Sequence, residues 1–308
     1  MTLIIRDFHP VDAEAAAHAH SAGRPHVVMS PRALRHLVTA AAPEEHYRLL
    51  VGEWEGEVAA IARVGLHAHS STGGRGFAHL SVAPEARGRG LATALLAEAE
   101  RHLTAHGATR ITAWTADDPA STGFAERHGY HRGRSVHFAH LDLRTLEHPV
   151  PPLPEGVELR TAADYADDPR PLFEIDVAGT EDEPGGTDYA NLAYEQWLAE
   201  EWQAPDLNRE LTTVLVADGR TVGFTAVHST GTRYWSNFTT VAATHRGRGL
   251  AGLAKTDSLH RAVAAGLTDA YTGNDATNAP MLAVNDRLGY RRCGTEWLYA
   301  KDLPAAGA

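Results

Sequence analysis

The residues best suited to chemistry in this 308-residue chain are four arginines and four glycines, set out twice in one pattern. The first copy runs Val82-Ala83-Pro84-Glu85-Ala86-Arg87-Gly88-Arg89-Gly90-Leu91-Ala92. The second, 159 positions on (241 minus 82), runs Val241-Ala242-Ala243-Thr244-His245-Arg246-Gly247-Arg248-Gly249-Leu250-Ala251. Glycines without a Cβ let a bulky anion approach the backbone N–H groups closely. A helix opening at the same point adds unpaired N–H donors and the positive end of its dipole. Together they make a pyrophosphate cradle, to which Arg87, Arg89, Arg246 and Arg248 add charge-assisted donors. No Gly-Lys-Ser/Thr follows the glycines, which excludes a Walker-type nucleotide loop.

The elements that must hold each cradle are an apolar strand before it and an Ala/Leu-rich helix after it. In the first half the pattern predicts a strand Leu3–Arg6, helices over Ala13–His20 and Pro31–Ala41, and a hairpin of Tyr47–Gly52 and Val58–Leu66 turning at Glu55-Gly56. Strand Phe77–Val82 then enters the cradle and helix Leu91–His106 leaves it, followed by strand Arg110–Thr115, a helix Pro119–His128 and strand Val136–Leu143. The second half repeats this order: Val157–Arg160, an acidic loop Asp176–Asp188, a helical run Tyr189–Trp202, a hairpin Thr212–Ala217 and Thr221–His228, strand Tyr234–Val241, helix Leu250–Ala265, strand Asp269–Thr272, helix Ala279–Leu288 and strand Glu296–Leu303. A repeat of this size means a duplicated α/β domain. The proline-rich stretch between Glu147 and Gly156 can continue neither sheet nor helix, so it predicts a linker at 147–156 between domains 1–146 and 157–308.

Composition narrows the partners. A formal charge of −11 argues against nucleic acid, which demands a basic stripe, and suits a basic small substrate. A single cysteine, Cys293, cannot form an internal disulfide and points to a reducing, cytoplasmic setting. The N-terminus carries no signal-peptide pattern, and no apolar run approaches the roughly 20 residues that span a bilayer. The 19 histidines are scattered, with no pair at zinc spacing, so no metal is expected.

Arg-x-x-Gly-x-Ala, read at Arg87…Gly90…Ala92 and Arg246…Gly249…Ala251, resembles the acetyl-CoA loop of the GCN5-related N-acetyltransferase (GNAT) family. The resemblance covers about residues 1–145 and 155–303. It implies two tandem GNAT domains of α/β (α+β) class, each a mixed, mostly antiparallel twisted sheet flanked by helices, with acetyl-CoA as acyl donor and pantetheine lying between splayed fourth and fifth strands. By the same resemblance the N–H groups of Val82 and Val241 meet the acetyl carbonyl. Ala83, Leu91 and Ala92, with Ala242, Leu250 and Ala251, then complete the two cofactor loops. Asn274…Asn278…Met281…Asn285…Leu288-Gly289 is similar to the family's segment after strand five, which assigns Asn278 to the cofactor. A helix cap is the competing reading for Asn278, and core packing for Met281.

Acetyl transfer to an amine also needs a base and a proton for the departing thiolate. An ammonium of pKa near 10.4 costs about 4 kcal/mol to deprotonate at neutral pH. Counting back by twos, the face of Val82 carries Leu80, Ala78 and Gly76, and that of Val241 carries Thr239, Asn237 and Trp235; neither holds a base. His79 falls on the opposite face, an assignment one residue of bulge would reverse. The family's thiolate-protonating tyrosine corresponds to Ala125 and Asn285. Asn285 can donate a hydrogen bond to sulfur but no proton. The acidic run Glu174, Asp176, Glu181, Asp182, Glu183 lies where the family's substrate loop lies, and Asp182 or Glu183 could hold a cationic amine or serve as base through water; a solvated loop is the plain alternative, and His228 is a further candidate. The expectation is an N-acetyltransferase acting on the primary amine of a small molecule, monomeric (a pseudo-dimer of its domains) or homodimeric, with the chemistry in the C-terminal half and the N-terminal half binding CoA or serving structurally. The competing readings are an acyl-CoA-binding sensor and an acyltransferase for hydroxyls or protein amines.

Overall fold

The computed structural model describes residues 2–181 and 192–303, which divide into two compact units. The first consists of the chain up to Ser135 together with the segment from Thr295 onward. Its strands are β1 (Leu3–Asp7), β2 (Arg48–Trp54), β3 (Glu57–Leu66), β4 (Arg75–Val82) and β5 (Arg110–Ala116). Its helices are α1 (Ala13–Gly23), α2 (Pro31–Ala40), α3 (Leu91–Ala105) and α4 (Pro119–Arg127). Strand alternation makes the layers. Ala60, Ala62 and Val64 of β3 point to one face and pack with Leu91, Leu95 and Leu103 of α3. Ile61, with Leu49 and Val51 of β2, points to the other face and packs with Ala13, Ala16 and Leu34 of α1 and α2. The sheet is a helix-covered layer on both sides, and each fully buried leucine of α3 stabilises it by roughly 1.5–3 kcal/mol.

The second unit, Val136–Gly294, is built the same way. It contains β6 (His131–Asp142) from Val136 on, β7 (Val157–Thr161), α5 (Arg170–Glu181), α6 (Tyr194–Trp197), β8 (Thr213–Ala217), β9 (Arg220–Thr230), β10 (Arg233–Val241), α7 (Leu250–Ala264), β11 (Asp269–Asp275) and α8 (Ala279–Arg287). α6 runs on as one π-helical turn, Leu198–Trp202. Leu215, Val222 and Val241 face α7, whereas Val214 and Phe224 face Trp197, Trp202 and Leu172 of α5 and α6. Part of the stretch expected as an acidic loop is helical, because α5 continues to Glu181. Its Ile175 and Phe173 pack into the core on this face, and that apolar anchoring outweighs the nearby charges.

The domain ends expected at the proline-rich linker do not coincide with the compact units. β5 pairs antiparallel with β12 (Arg291–Asp302), the last strand of the chain, and β11 pairs antiparallel with β6, the last strand of the first half. Each unit thus takes its sixth strand from the other half. The two strands occupy equivalent places in the repeat, both ending in Asp-Leu. The choice between them is invisible in a local pattern.

Candidate active site

Both glycine loops are formed as cradles. Gly88, Gly90, Gly247 and Gly249 have φ of 75°, 89°, 76° and 77°, in the left-handed region that side-chain-bearing residues avoid. A short 3-10 turn precedes each, and the arginine that opens the loop is tied back: Arg87 Nε donates to Val82 O at 3.3 Å and Arg246 Nε to Val241 O at 2.8 Å. Arg89 lies over the Trp54 ring at 5.1 Å, and Arg248 is exposed. The N–H groups of Ala83 and Ala242 are already used, donating to Ala59 O and Val222 O at 2.9 and 2.8 Å. These two N–H groups therefore hold the loop against the neighbouring strand. Because successive amides of a strand point to opposite edges, the same bonds turn the N–H groups of Val82 and Val241 toward the open side.

That open side is a splay. β4 and β5 run parallel only from Arg75–Phe77 against Arg110–Thr112, and β10 and β11 only from Arg233–Ser236 against Asp269–Thr272. Beyond these ladders the strands diverge, leaving clefts of about 600 Å³ and 900 Å³. Val82, Arg87, Gly88, Gly90, Leu91 and Ala92 line the first. Val241, Arg246, Gly247, Gly249, Leu250, Ala251 and Asn278 line the second. Asn278 also caps α8, its Oδ1 accepting from Met281 N–H at 3.3 Å, so the capping reading holds alongside its place on the wall. Met281, expected in the core, stands on the cleft wall. Asn285 does not line the cleft. It is 3% exposed and donates through Nδ2 to Asn274 Oδ1 at 2.6 Å, and Asn274 is the residue that reaches the wall.

The two fourth strands differ in one residue of register. β10 slips against β9 between Ser236 and Phe238, which makes Asn237 a β-bulge; β4 shows no such slip against β3. The bulge overturns the alternation counted along β10. The face of Val241 carries Thr239, then Ser236 and Tyr234, as their contacts with α7 show: Tyr234 hydroxyl lies 2.9 Å from Ser258 Oγ, and Lys255 Nζ donates to Ser236 Oγ at 2.8 Å. Phe238 and Thr240 turn to the α5 face, where an alanine at Gly179 would put its Cβ 2.2 Å from Thr240 Oγ1. On the unbulged β4, His79 keeps the face opposite Val82. It stacks on Phe77 at 5.3 Å, accepts from Trp114 N–H at 3.3 Å through Nδ1, and is held neutral by burial and by the Arg63 charge.

Behind the bulge, on the α5 face, lies a cavity of about 190 Å³ that shares Asn237 and Phe238 with the second cleft. Trp197, Trp202 and Phe224 give it apolar walls, and Asp176, Glu201 and His228 give it titratable groups. Asp176 accepts from Trp197 Nε1 at 2.6 Å. Burial raises the Glu201 carboxyl to about 7, with the Asp176 and Glu200 charges pushing the same way. Burial lowers the His228 imidazole, opposed only in part by Asp206. Of the acidic run singled out in the sequence, Asp176 reaches this cavity, while Asp182 and Glu183 lie outside the described residues. Glu201 and Lys255 were not anticipated. Glu201 sits within the Trp197–Trp202 turn, and Lys255 becomes conspicuous once the copies are overlaid, since it answers Leu96.

The first unit fills the corresponding end of its cleft differently. Arg24 Nε donates to Glu296 Oε1 at 2.8 Å, and His26 Nε2 lies 3.3 Å from the same oxygen. Glu296 is 2% exposed; burial would raise its carboxyl, but the Arg24 charge and the hydrogen bonds from His26 and Arg24 prevail and bring it to about 2. Arg24 and Glu296 both line the first cleft.

Comparison with known proteins agrees with this geometry. The model of the acetyltransferase (GNAT) family matches residues 16–130. The mycothiol acetyltransferase of Saccharomonospora viridis is 30% identical over 80% of this chain and 82% of its own length, and that of Nocardia farcinica is 31% identical over 82% of each. Among solved structures, a tandem GNAT protein from the clavulanic acid biosynthesis pathway covers 99% of this chain and 100% of its own at 22% identity, with a TM-score of 0.73. A GNAT protein from Sphaerobacter thermophilus covers 99% and 98% at 23% identity, with a TM-score of 0.72. With two glycine cradles, each opening into a splayed pair of parallel strands, and relatives of this identity over four-fifths of its length, the chain belongs to the GNAT family of acetyl-CoA-dependent N-acetyltransferases.

Proposed function

We propose that the second unit transfers the acetyl group of acetyl-CoA to the primary amine of a small molecule, and that the first unit binds CoA or serves as structural support. The observation that carries this reading is the wall at Asn237 and Phe238, which the α5-face cavity and the second cleft share. An amine in that cavity has a path to a thioester in the cleft. Glu201, with its carboxyl near 7, can hold an ammonium when ionised and take its proton as base. Asp176 adds negative charge, and the tryptophans suit a cation's apolar surroundings. Val241 N–H, turned to the splay, supplies the oxyanion donor, an interaction whose removal typically costs a few kcal/mol. In the first unit the Arg24–Glu296 pair occupies the matching place, β4 lacks the bulge, and Ala125 stands where a proton donor would be. Because the named relatives are mycothiol acetyltransferases, amine-bearing molecules of the mycothiol type head the acceptor panel.

The test compares turnover in Gly90→Val and Gly249→Val. A Cβ at Gly249 meets nothing within 4 Å, so valine there strains a left-handed backbone and fills the space meant for pyrophosphate. We expect turnover to collapse in Gly249→Val and to persist in Gly90→Val; the reverse pattern assigns catalysis to the first unit. Replacing Asp182 and Glu183 by Asn and Gln tests whether those two carboxylates also hold the amine. A role in binding raises acceptor KM about ten- to a hundredfold with kcat kept. Both parameters staying within about twofold removes the pair from the site.

A further inference from the structure

We propose that Lys255 is the proton donor to the departing CoA thiolate in the second unit. The proposal rests on that unit being the working one. Lys255 lies on α7, is 1% exposed, and lines the cofactor cleft. Its Nζ donates to Ser236 Oγ at 2.8 Å. Ser236 is the last residue of the β10–β11 ladder, paired with Thr272, and the next residue, Asn237, is the bulge. The ammonium therefore stands at the vertex of the splay. An acyl-CoA with its pyrophosphate on the Gly247–Gly249 loop and its pantetheine between the strands directs its sulfur end toward that vertex.

Nothing in the packing requires a lysine here. The equivalent residue of the first unit is Leu96, 4% exposed in an apolar core. No carboxylate bonds to Lys255 Nζ among the described residues, and burial alone lowers its ammonium to about 7. A buried amine without a counter-ion is costly to fold around and is poised to exchange a proton at neutral pH. Of the neighbouring groups, Tyr234 also bonds to Ser236, and the Tyr290 ring centre lies 5.6 Å from Nζ; burial pushes both phenols up and keeps them neutral. The other titratable or charged groups on the cleft wall are His245, Arg246 and Arg287. Asn285, at the place of the family's tyrosine, is bonded to Asn274 and has no proton to give.

In the step, the neutral amine nitrogen attacks the thioester carbon and the C–N bond forms. As the tetrahedral adduct collapses, the C–S bond breaks and its electron pair stays on sulfur. A proton passes from Lys255 Nζ to sulfur, giving the CoA thiol, while the proton lost by the amine passes to Glu201. Exchange with water returns one proton to Lys255 and removes one from Glu201, so the sum is amine plus acetyl-CoA giving amide plus CoA thiol.

Lys255→Met and Lys255→Arg test this on the full chain. We expect kcat to fall about a hundredfold or more in Lys255→Met, with the dissociation constant of CoA within about threefold and the alkaline limb of the wild-type kcat profile abolished. Lys255→Arg stays slow, because a guanidinium keeps the charge without releasing a proton at this pH. A kcat within about threefold of wild type, an alkaline limb unchanged in Lys255→Met, or a loss of turnover matched by loss of CoA binding each overturns the assignment. The second readout needs no amine: the ultraviolet absorbance of the thiolate of bound CoA, titrated with pH. A proton shared between Lys255 Nζ and the sulfur should displace the wild-type titration by at least about one pH unit from the single thiol titration of Lys255→Met, and coincident titrations overturn the proposal. If wild type acetylates no amine while the thiolate titrations still separate, the acceptor reading fails and the placement of Lys255 at the sulfur stands.

Discussion

At the scale of single residues, the site is defined by groups whose surroundings hold them away from their ordinary ionisation. Lys255 is the clearest, because its shift has one cause, burial, and one hydrogen-bond partner, Ser236. Its folded pKa of about 7 lies below the usual 10.5, so between these values the unfolded chain binds a proton that the folded chain does not. Stability contributed by this position therefore rises with pH across that window. The cost of keeping lysine here is roughly 4 kcal/mol at pH 7 and roughly 2 kcal/mol at pH 9. Lys255→Met should accordingly be more stable than wild type in urea at pH 7, with the advantage shrinking by about 2 kcal/mol by pH 9. A difference that does not change with pH would mean that Lys255 titrates normally and is in contact with water. Activity and stability are expected to move in opposite directions at this residue, as they do where a fold retains an unfavourable group for its chemistry.

At the scale of elements, the cavity proposed for the acceptor lies where α5 presses against β10 at the bulge. Gly179 permits the contact, since a Cβ there would sit 2.2 Å from Thr240 Oγ1 and 2.7 Å from Thr240 Cβ. Gly179→Ala should push the helix off the strand, costing roughly 1–3 kcal/mol of stability. It should also raise acceptor KM more than the CoA dissociation constant. Equal effects on both ligands, or none on either, would show that the α5–β10 approach does not shape the acceptor side. The elements themselves were legible in the sequence because each carries a strong local signal. Glu55-Gly56 and Asp218-Gly219 turn their hairpins with both φ values positive in each pair, as such dipeptides favour, and the apolar period of α3 and α7 marks their buried faces. The bulge was not legible, because an extra residue at Asn237 leaves no mark on composition and shows only when β10 is paired with β9. The count by twos therefore placed Asn237 and Trp235 with Val241, although pairing gives that face to Thr239, Ser236 and Tyr234. α5 was missed for a related reason, since the charges of Glu174 and Asp176 hide a helix anchored by Phe173 and Ile175.

At the scale of the whole molecule, a repeat is easy to find in a sequence and its assembly is not. The duplication could be read from two cradles and matching landmarks, whereas strand partnership depends on pairings between residues far apart in the chain. β12 completes the first unit, so the last part of the sequence bears on the stability of the first part through Glu296, which faces Arg24 and His26 there. The folded carboxyl of Glu296 sits at about 2, below its usual 4.5. The pairing therefore contributes its full stability above about pH 4.5 and loses it as pH falls toward 2. A shift of this size corresponds to roughly 3 kcal/mol at pH 7. Glu296→Gln leaves the partly buried Arg24 charge without its carboxylate and should destabilise the first unit by about that amount at neutral pH, with the deficit closing as the solution is acidified through that range. Hydrogen exchange resolved by segment checks where the effect falls. Amides of β5 and of the residues around Arg24 should exchange faster in the variant, while those of β8 to β10 in the second unit should keep the wild-type rate. Faster exchange in β8 to β10 with β5 unchanged would mean that this glutamate supports the half in which it is encoded and not the unit in which it packs.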